Sequence, residues 1–155
     1  MSRLELKVPP LLQLAVCGTG MGLMAAISPP TAADPLAISL ASFFSLVGAF
    51  FCGAGVWHFR KQKTTVDPRY PERSAALVVS GIYQHTRNPM YVGFVFFLIA
   101  GCVLVGQWLA LTWVLAFVWY LTRYQIIPEE RALRKNFGEE YAQYQKSVPR
   151  WLLGL

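Results

Sequence analysis

Three long runs without a formal charge constrain this chain more than any other feature. Residues 8–33, 35–59 and 88–122 contain no Asp, Glu, Lys or Arg. A membrane-spanning helix needs about 20 apolar residues, so the first two runs each predict one span. As a single helix, the 35 residues of the third run would measure roughly 50 Å, against a hydrocarbon core of about 30 Å. Gly106-Gln107 is the only polar break in this run, so we predict two short helices joined by a tight turn.

The composition agrees with a membrane protein and excludes several soluble classes. Hydrophobic residues make up 55% of the 155 residues and charged residues only 14%, whereas soluble domains contain about 25% charged residues. An ordinary small soluble enzyme and a disordered chain are therefore excluded. The three cysteines lie inside apolar runs, so we interpret them as small buried residues and not as a disulfide framework.

The positions of the fourteen Lys and Arg residues predict the topology. With four spans all of them lie on one side, which the positive-inside rule assigns to the cytoplasm. With three spans the six in the C-terminal tail would lie outside. The first apolar run is too long for a signal peptide and lacks a convincing cleavage site. We therefore predict a multi-pass integral membrane protein with both termini in the cytoplasm.

The net charge of +6 then belongs to the cytoplasmic face. It orients the protein and attracts anionic membrane lipid. No nucleic-acid-binding motif accompanies it, so no nucleic-acid partner is expected.

The predicted fold is all-α, a single membrane domain over residues 1–155 with four transmembrane helices and short cytoplasmic C-terminal helices. Asp34-Pro35 and Asn88-Pro89 each place an N-cap residue before a proline at the first helical position. The cytoplasmic parts, 60–87 and 123–155, are too small for a core of their own and must pack on the helix ends. The predicted transmembrane helices are 9–27, 35–59, 89–105 and 108–122. A further helix is expected from Ile127 to Gly138, followed by a short one over 139–147.

Glycines in the first two helices are predicted to let helices approach closely. Gly18 and Gly22 are four residues apart, which is the spacing of small residues at membrane helix contacts. Gly48, Gly53 and Gly55 in the second helix are interpreted in the same way.

Sites typical of soluble enzymes are not indicated. The run Gly18-Thr19-Gly20-Met21-Gly22 does not follow a strand, as a phosphate-binding glycine loop must. His58 and His85 have no Cys, His or Asp at ligand spacing, so no metal site is expected. Neither a serine nucleophile elbow nor a Cys–His pair is present.

Two polar stretches at the predicted cytoplasmic face carry the candidate chemistry. The first, 81–93, reads GIYQHTRNPMYVG and places Tyr83, Arg87 and Tyr91 four residues apart at the mouth of the third helix. The second, 128–151, begins with Pro-Glu-Glu and ends with Val-Pro-Arg-Trp. Taken alone, interfacial Tyr and Arg are typical of membrane anchoring. Paired glutamates in a first helical turn are, taken alone, typical of a solvated, dipole-favoured pair.

Taken together, the two stretches indicate a protein family more specifically than either stretch does alone. G-x-Y-x-x-x-R-[HN]-P-x-Y-x-G, a helical hairpin, and then E-E-x-x-L-x-x-x-F-G-x-x-Y-x-x-Y-x-x-x-V-P-R resemble the integral-membrane methyltransferases. That group contains isoprenylcysteine carboxyl methyltransferase and the phospholipid N-methyltransferases. The resemblance covers roughly residues 74–151. It departs at Asn88, where the family usually has His; Asn can hydrogen-bond and cap a helix but cannot titrate near neutral pH.

The resemblance implies an S-adenosylmethionine-dependent methyltransferase whose cofactor pocket is built from the two cytoplasmic parts. A carboxylate suits the ribose diol or the ammonium of this cofactor, and aromatic faces suit its sulfonium. Methyl transfer is an in-line displacement, so positioning in a dry pocket can suffice without covalent catalysis. The implied cofactor-binding residues are Leu77, Val78, Tyr83, Asn88, Pro89, Met90, Tyr91 and Glu129.

The resemblance also implies a lipophilic acceptor, a small molecule or a lipid-modified substrate that reaches the site from the bilayer. Arg87 and Arg123 are the expected catalytic residues. Neither has an acid four residues away, so an acceptor anion is an expected partner, with headgroup phosphate as the competing one. In the isoprenylcysteine enzymes an acceptor-binding Arg precedes the glutamate pair, but that position is Gln125 here. The expected reaction is most like isoprenylcysteine carboxyl O-methylation.

Three alternatives stay open at this point. Phosphatidylethanolamine N-methylation would need a base to take a proton, for which Glu130 or His85 is available. An NADPH-dependent membrane reductase carries a similar R-H-P-N-Y segment, although Met90 replaces its Asn. A non-catalytic membrane protein with an inherited pocket would suit Asn88. Stabilisation by S-adenosylmethionine but not by NADPH would favour the methyltransferase. The sequence predicts no oligomeric state.

Overall fold

The computed structural model describes residues 5–27, 34–61 and 76–152, and all its regular elements in these ranges are helical. The predicted turn at 28–31 and most of the predicted loop at 60–74 lie outside the described residues. In chain order the α-helices are α1 (Pro10–Ala26), α2 (Pro35–Lys61), α3 (Pro89–Val105), α4 (Leu111–Leu121) and α5 (Ile127–Ser147). Short 3-10 helices cover Gly81–Gln84 and Trp108–Ala110, and a π-helical turn covers Thr122–Ile126.

The predicted helix starts and stops are only partly correct. The Asp34 cap is confirmed, because the Leu36 N–H donates to Asp34 Oδ1 at 3.0 Å. The turn after α3 is also confirmed, since Gly106 adopts the left-handed conformation (φ 66°) that favours glycine at a helix C-terminus. The capping role expected of Asn88 is wrong, because its side chain makes no capping bond to α3 and donates elsewhere.

The boundary between α4 and α5 differs from the prediction. The chain runs from α4 through the π-helical turn into α5 without an intervening loop. Pro128 would ordinarily end a helix, since it lacks the N–H that bonds to the carbonyl four residues earlier. Here that carbonyl, Tyr124 O, accepts a hydrogen bond from the Leu6 N–H at 3.0 Å. The N-terminal segment therefore supplies the donor that Pro128 lacks. The predicted break at Gly138 is present, with φ 53° and ψ −123°.

The contact between α2 and α3 is the most extensive in the fold and depends on glycine. A Cβ atom added at Gly48 would lie 2.8 Å from Gly93 O, and one added at Gly55 would lie 2.8 Å from Met90 Cγ. The packing role predicted for these two α2 glycines is confirmed. It is wrong for Gly53, where an added Cβ would meet nothing within 4 Å.

Helix α1 packs through a different glycine from the predicted pair. An added Cβ at Gly18 or Gly22 would meet nothing within 4 Å, so the spacing of four does not mark a contact within this chain. At Gly20 it would lie 2.4 Å from the Trp113 ring of α4. The buried face of α1 carries Cys17 and Met21, and Gly20 gives the indole room beside it.

The outer surface of α1 to α4 is largely apolar, whereas that of α5 is charged. Ile27 and Trp108 are 87% and 77% exposed, as residues facing lipid are. By length and composition, α2 is the one described helix able to cross a membrane; α1 and α3 are apolar but have 17 residues each. The all-helical class is confirmed for the described residues, and the four-span topology stays a prediction.

Two groups of buried residues fill the interior. The larger lies among α1, α3 and α4 and includes Phe117 and Leu121. The smaller, which we call the tyrosine cluster, lies at the polar end of the fold, and the site is built beside it. The tyrosine cluster consists of Val78, Tyr83, Tyr141, Tyr144 and Val148.

Candidate active site

The turn at 86–88 is bound to the C-terminal segment 148–151. The Arg87 N–H donates to Pro149 O at 3.0 Å. Thr86 Oγ1 and Asn88 Nδ2 both donate to Arg150 O, at 2.9 and 3.1 Å. Asn88 acts here as an amide donor, which requires no titratable group. The two polar stretches identified in the sequence therefore form one unit.

Arg87 is held by the protein on several sides. Its Nη2 donates to Glu130 Oε1 at 2.8 Å, and its Nη1 donates to the carbonyls of Gln145 and Val148 at 2.9 Å. The side chain is 10% exposed. The expectation that Arg87 lacks an acidic partner is wrong, since the partner lies 43 residues away and is not a helical neighbour. Arg87 Nε has no hydrogen-bond partner among the described residues.

Glu130 also accepts hydrogen bonds from a second arginine, Arg150. Arg150 donates from Nε to Oε1 at 3.0 Å and from Nη2 to Oε2 at 2.7 Å, a bidentate arrangement. Burial alone would raise the pKa of Glu130, but the hydrogen bonds from Arg150 and the charge of Arg87 hold it below its usual value. Glu130 is therefore ionised and ties α5 to both the 86–88 turn and the C-terminal segment.

Glu129, the adjacent residue, has a different environment. Tyr91 Oη donates to its Oε1 at 2.7 Å, and Gln125 Nε2 donates to the same oxygen. No described residue hydrogen-bonds to Oε2. Burial raises the pKa of Glu129 to about 8, against the lowering effect of the bonds from Gln125 and Tyr91. The side chain nevertheless stays partly accessible to solvent.

Tyr83 contributes a second polar atom without a partner. Its phenol is buried, and Oη has no hydrogen-bond partner among the described residues. Burial raises the pKa of Tyr83, and the nearby Tyr144 and Glu129 add to the rise. A Cβ atom added at Gly55 would lie 3.5 Å from this hydroxyl, so glycine at that position keeps space beside it.

Most of the predicted cofactor residues come together at the start of α3. Pro89 and Met90 pack against Gly55 near the Tyr83 hydroxyl, and Tyr91 is bonded to Glu129. Leu77 and Val78 instead pack in the tyrosine cluster. We use the name crevice for the residues Gly55, Tyr83, Met90, Tyr91 and Glu129.

Arg123 lies apart from Arg87. Its side chain is 49% exposed, with Nη1 3.6 Å from Glu5 Oε1 and the guanidinium 5.5 Å from the Tyr124 ring centroid. Arg131 Nη2 donates to the other oxygen of Glu5 at 2.7 Å. The expected absence of an acidic partner is therefore wrong for Arg123 as well. The structure does not bring the two predicted catalytic arginines together.

Sequence reasoning assigned no site role to Gln125 or Arg150. For Gln125 a signal was available, because it precedes Glu129 by four residues and such pairs meet on a helix. For Arg150 the signal was only its place in the Val-Pro-Arg run. Its bond to Glu130 depends on the break at Gly138, which turns the end of α5 back toward its start.

The apolar helices, with a polar crevice where their ends meet the C-terminal segment, define an all-helical protein of membrane type. A family model described as phospholipid methyltransferase matches residues 36–140, which include α2, α3, α4 and both glutamates. The chain belongs to the phospholipid methyltransferase family.

Curated relatives match over about half of the chain or less. Protein-S-isoprenylcysteine O-methyltransferase of Schizosaccharomyces pombe is 36% identical over 73 residues, 47% of this chain and 31% of that protein. The human protein of the same name is 40% identical over 78 residues, 47% of this chain and 26% of that protein. An uncharacterized Haemophilus influenzae protein is 36% identical over 63 residues, 41% of this chain and 100% of that protein. The chain thus spans about a third or less of these two methyltransferases. No solved structure matches it.

Proposed function

We propose that this chain is an S-adenosylmethionine-dependent methyltransferase that acts on a lipophilic acceptor at the cytoplasmic membrane face. One observation carries the proposal. In a member of a methyltransferase family, the crevice holds the buried Tyr83 Oη, which has no hydrogen-bond partner among the described residues, and the carboxyl group of Glu129, whose described donors both bond to Oε1. Buried polar groups are ordinarily paired, so the partner of the Tyr83 hydroxyl is expected to be a ligand.

The donor set of the crevice fits this cofactor. A carboxylate such as Glu129 forms charge-assisted hydrogen bonds with an ammonium or a ribose diol. The phenol of Tyr83 can donate or accept, and its ring can face a sulfonium. When bound, the cofactor supplies an activated methyl group. The residues proposed to hold it are Leu77, Val78, Tyr83, Asn88, Pro89, Met90, Tyr91 and Glu129, with Asn88 acting through its bond to Arg150.

The chain's own contribution to the reaction is positioning and exclusion of water. The bonds among Arg87, Glu130 and Arg150 fix the beginning of α5 against the 86–88 turn. Because Glu129 is the next residue, the same bonds orient its carboxyl toward Tyr91. A methyl displacement requires alignment of the reacting atoms more than it requires an acid or base. The largely buried crevice, held by these hydrogen bonds, would supply that alignment.

The acceptor is proposed to resemble an isoprenylcysteine carboxylate. The named relatives are isoprenylcysteine O-methyltransferases. Two groups are available for an acceptor anion: the Arg87 Nε–H, which has no described hydrogen-bond partner, and Arg123, half of whose side chain is exposed.

A groove between α2 and α3 supports a lipophilic acceptor. It has a volume of about 630 Å³ and is lined mainly by apolar residues. Ala49 is its lining residue nearest to Gly55 in sequence, six positions away, or about 9 Å along a helix. A prenyl or acyl tail in this groove would therefore end near the crevice. The groove is lined by Ile38, Ala41, Ser42, Ser45, Leu46, Ala49, Phe97 and Leu104.

We further propose four membrane spans with both termini cytoplasmic, from the one-sided distribution of all fourteen Lys and Arg. Cysteines introduced in the 28–34 turn should then react with an impermeant reagent from outside. Those introduced at 64–72 should react only from inside. External labelling of a cysteine at position 140 would contradict this topology.

The activity is tested with purified protein, methyl-labelled S-adenosylmethionine and three acceptors: a prenylcysteine analogue, phosphatidylethanolamine and a fatty acid. We expect label in the prenylcysteine, released by mild base because it is a methyl ester. The E129Q variant should lose activity, and E139Q, which changes an exposed glutamate on the same helix, should keep it. Absence of label in all three acceptors, together with no thermal stabilisation by the cofactor, would reject the proposal. Stabilisation by NADPH instead would indicate a reductase.

A specific observation supports phospholipid N-methylation as the second candidate. Where the isoprenylcysteine enzymes are expected to have an acceptor-binding Arg, Gln125 is buried and bonded to Glu129, so no cation stands at that position. The family description also names phospholipid methyltransferase. Of the bases considered, Glu130 is a poor one because two arginines hold its charge, which leaves the exposed His85. Base-stable label in phosphatidylethanolamine alone would select this candidate.

A further inference from the structure

Glu129 is a largely buried carboxyl group that has no cationic hydrogen-bond partner among residues 5–27, 34–61 and 76–152. Its two described donors, the Tyr91 hydroxyl and the Gln125 amide, are both neutral and both bond to Oε1. The two nearby arginines, Arg87 and Arg150, donate to the carboxylate of Glu130 instead. An ionised Glu129 would therefore be a largely buried negative charge whose described hydrogen-bond donors are both neutral.

The titratable groups that surround Glu129 come from every described element packed against it. Tyr91 approaches from α3, Tyr83 from the 3-10 helix before it, and Tyr141 from the far end of α5. These phenols are neutral, and the neighbouring Glu130 is negative. None of these groups is a cation that could pair directly with an ionised Glu129, and the described Arg87 and Arg150 donate to Glu130; a proton or a cationic ligand can take that place.

The loss of solvation on burial also favours the protonated form of Glu129. Burial disfavours the charged form of a carboxyl group and raises the pKa of Glu129 to about 8. At neutral pH and without a ligand, the group is then mainly in its neutral form. In that form one oxygen carries a hydrogen, and Oε1 can still accept from Tyr91 and Gln125.

We propose that Glu129 binds the positively charged part of a ligand by exchanging its proton for that charge. The carboxyl O–H bond breaks, the proton passes to solvent, and the resulting carboxylate pairs with the ligand cation. Charge is conserved, because one positive charge enters the crevice as another leaves. The inference rests on the proposed function, since S-adenosylmethionine carries both a sulfonium and an ammonium group. Glu130 takes no part, because its charge is already balanced by arginine.

Titration calorimetry of the whole protein in detergent tests the exchange. S-adenosylmethionine is titrated at about pH 6.5, where its own α-amino group, with an ordinary pKa of about 7.7–8.0, is already charged. The experiment is repeated in buffers of different ionisation enthalpy, such as phosphate and imidazole. The difference in heat should correspond to about one proton released per ligand bound.

Two variants test whether the released proton comes from Glu129. E129Q carries a neutral isostere and should release no proton while binding more weakly. E139Q, an exposed glutamate on the same helix, should behave as the wild type. Binding with equal heats in both buffers would overturn the exchange and leave the proposed function standing. Absence of both binding heat and thermal stabilisation by the cofactor would reject the proposed function, and the exchange with it.

Discussion

Two adjacent glutamates of α5 have opposite environments, although the sequence presents them as a matched pair. Glu130 is bound by Arg87 and Arg150 and is ionised. Glu129 is bound by neutral donors and favours its protonated form. One position therefore holds distant segments together through arginine, and the other has only neutral donors among the described residues. The difference comes from the partners that distant segments place beside each residue and not from the residues themselves.

Substitution of Glu130 should give the largest effect. E130Q removes the counter-charge of two arginines, of which Arg87 is 10% exposed. Loss of one partner of a buried ion pair costs about 3–5 kcal/mol. We expect a loss of this order in the free energy of unfolding in detergent, measured by thermal or denaturant melts. E139Q should change it by less than about 0.5 kcal/mol. An E130Q protein as stable as the wild type would show that this carboxylate is not an anchor.

Substitution of Glu129 should change ligand affinity while the fold stays intact. E129Q removes a charge-assisted bond of about 1.5–3 kcal/mol, or roughly 10- to 150-fold in the dissociation constant for S-adenosylmethionine. The melting temperature of the ligand-free protein should not fall, because Gln keeps a neutral side chain of the same shape. An unchanged dissociation constant would mean that Glu129 stabilises the start of α5 and does not bind the ligand.

The pH dependence of stability should have opposite signs at the two positions. The pKa of Glu129 is raised, so the native state holds a proton that the unfolded state releases, and stability falls as pH rises from about 4.5 to about 8. The slope is at most about 1.4 kcal/mol per pH unit. The pKa of Glu130 is lowered, so its contribution is present above about 4.5 and lost as pH falls.

Melting curves of the ligand-free protein against pH measure these slopes. E129Q should flatten the decline between pH 5 and 8 and should be more stable than the wild type near pH 8. If the decline in stability persists unchanged in E129Q, another titrating group causes it.

The smallest effect is expected at Asn88, whose amide donates to the same segment that carries Arg150. N88L removes one hydrogen bond and should cost about 1 kcal/mol of stability. N88H restores a ring N–H donor and should recover most of that loss. Equal melting temperatures for N88L and N88H would mean that the donor is unimportant.

The sequence predicted those parts of the molecule that depend on local signals. The uncharged runs predicted the helices. Asp34 and Gly106 predicted the start of α2 and the end of α3, and Gly138 predicted the break in α5. The helix bounds agree with the prediction within about two residues for the first three helices. Each of these features depends on residues a few positions apart, which the sequence displays directly.

Features that depend on distant partners were missed or wrongly predicted. The chain stays helical through Pro128, where Leu6, far away in the chain, supplies the hydrogen bond to Tyr124 O that proline cannot. Arg87 and Arg123 were expected to lack acids because only helical neighbours were considered, whereas Glu130 and Glu5 reach them through the fold. The Gly18–Gly22 spacing suggested a contact that the structure makes at Gly20. The spacing marked a face of α1 that is exposed in this chain, whereas Gly20 lies on the side that carries the buried Cys17 and Met21.

The bond between Thr86 and Arg150 has a consequence for biosynthesis. Its partners are 64 residues apart, so at about 5–20 residues per second the ribosome needs roughly 3–13 s to make the second after the first. In the first two thirds of that interval α3 is completed, but Glu130 and the carbonyls of Gln145 and Val148 that bind Arg87 have not yet been made. The crevice can therefore form only after the apolar helices have been made and α5 with the C-terminal segment has followed.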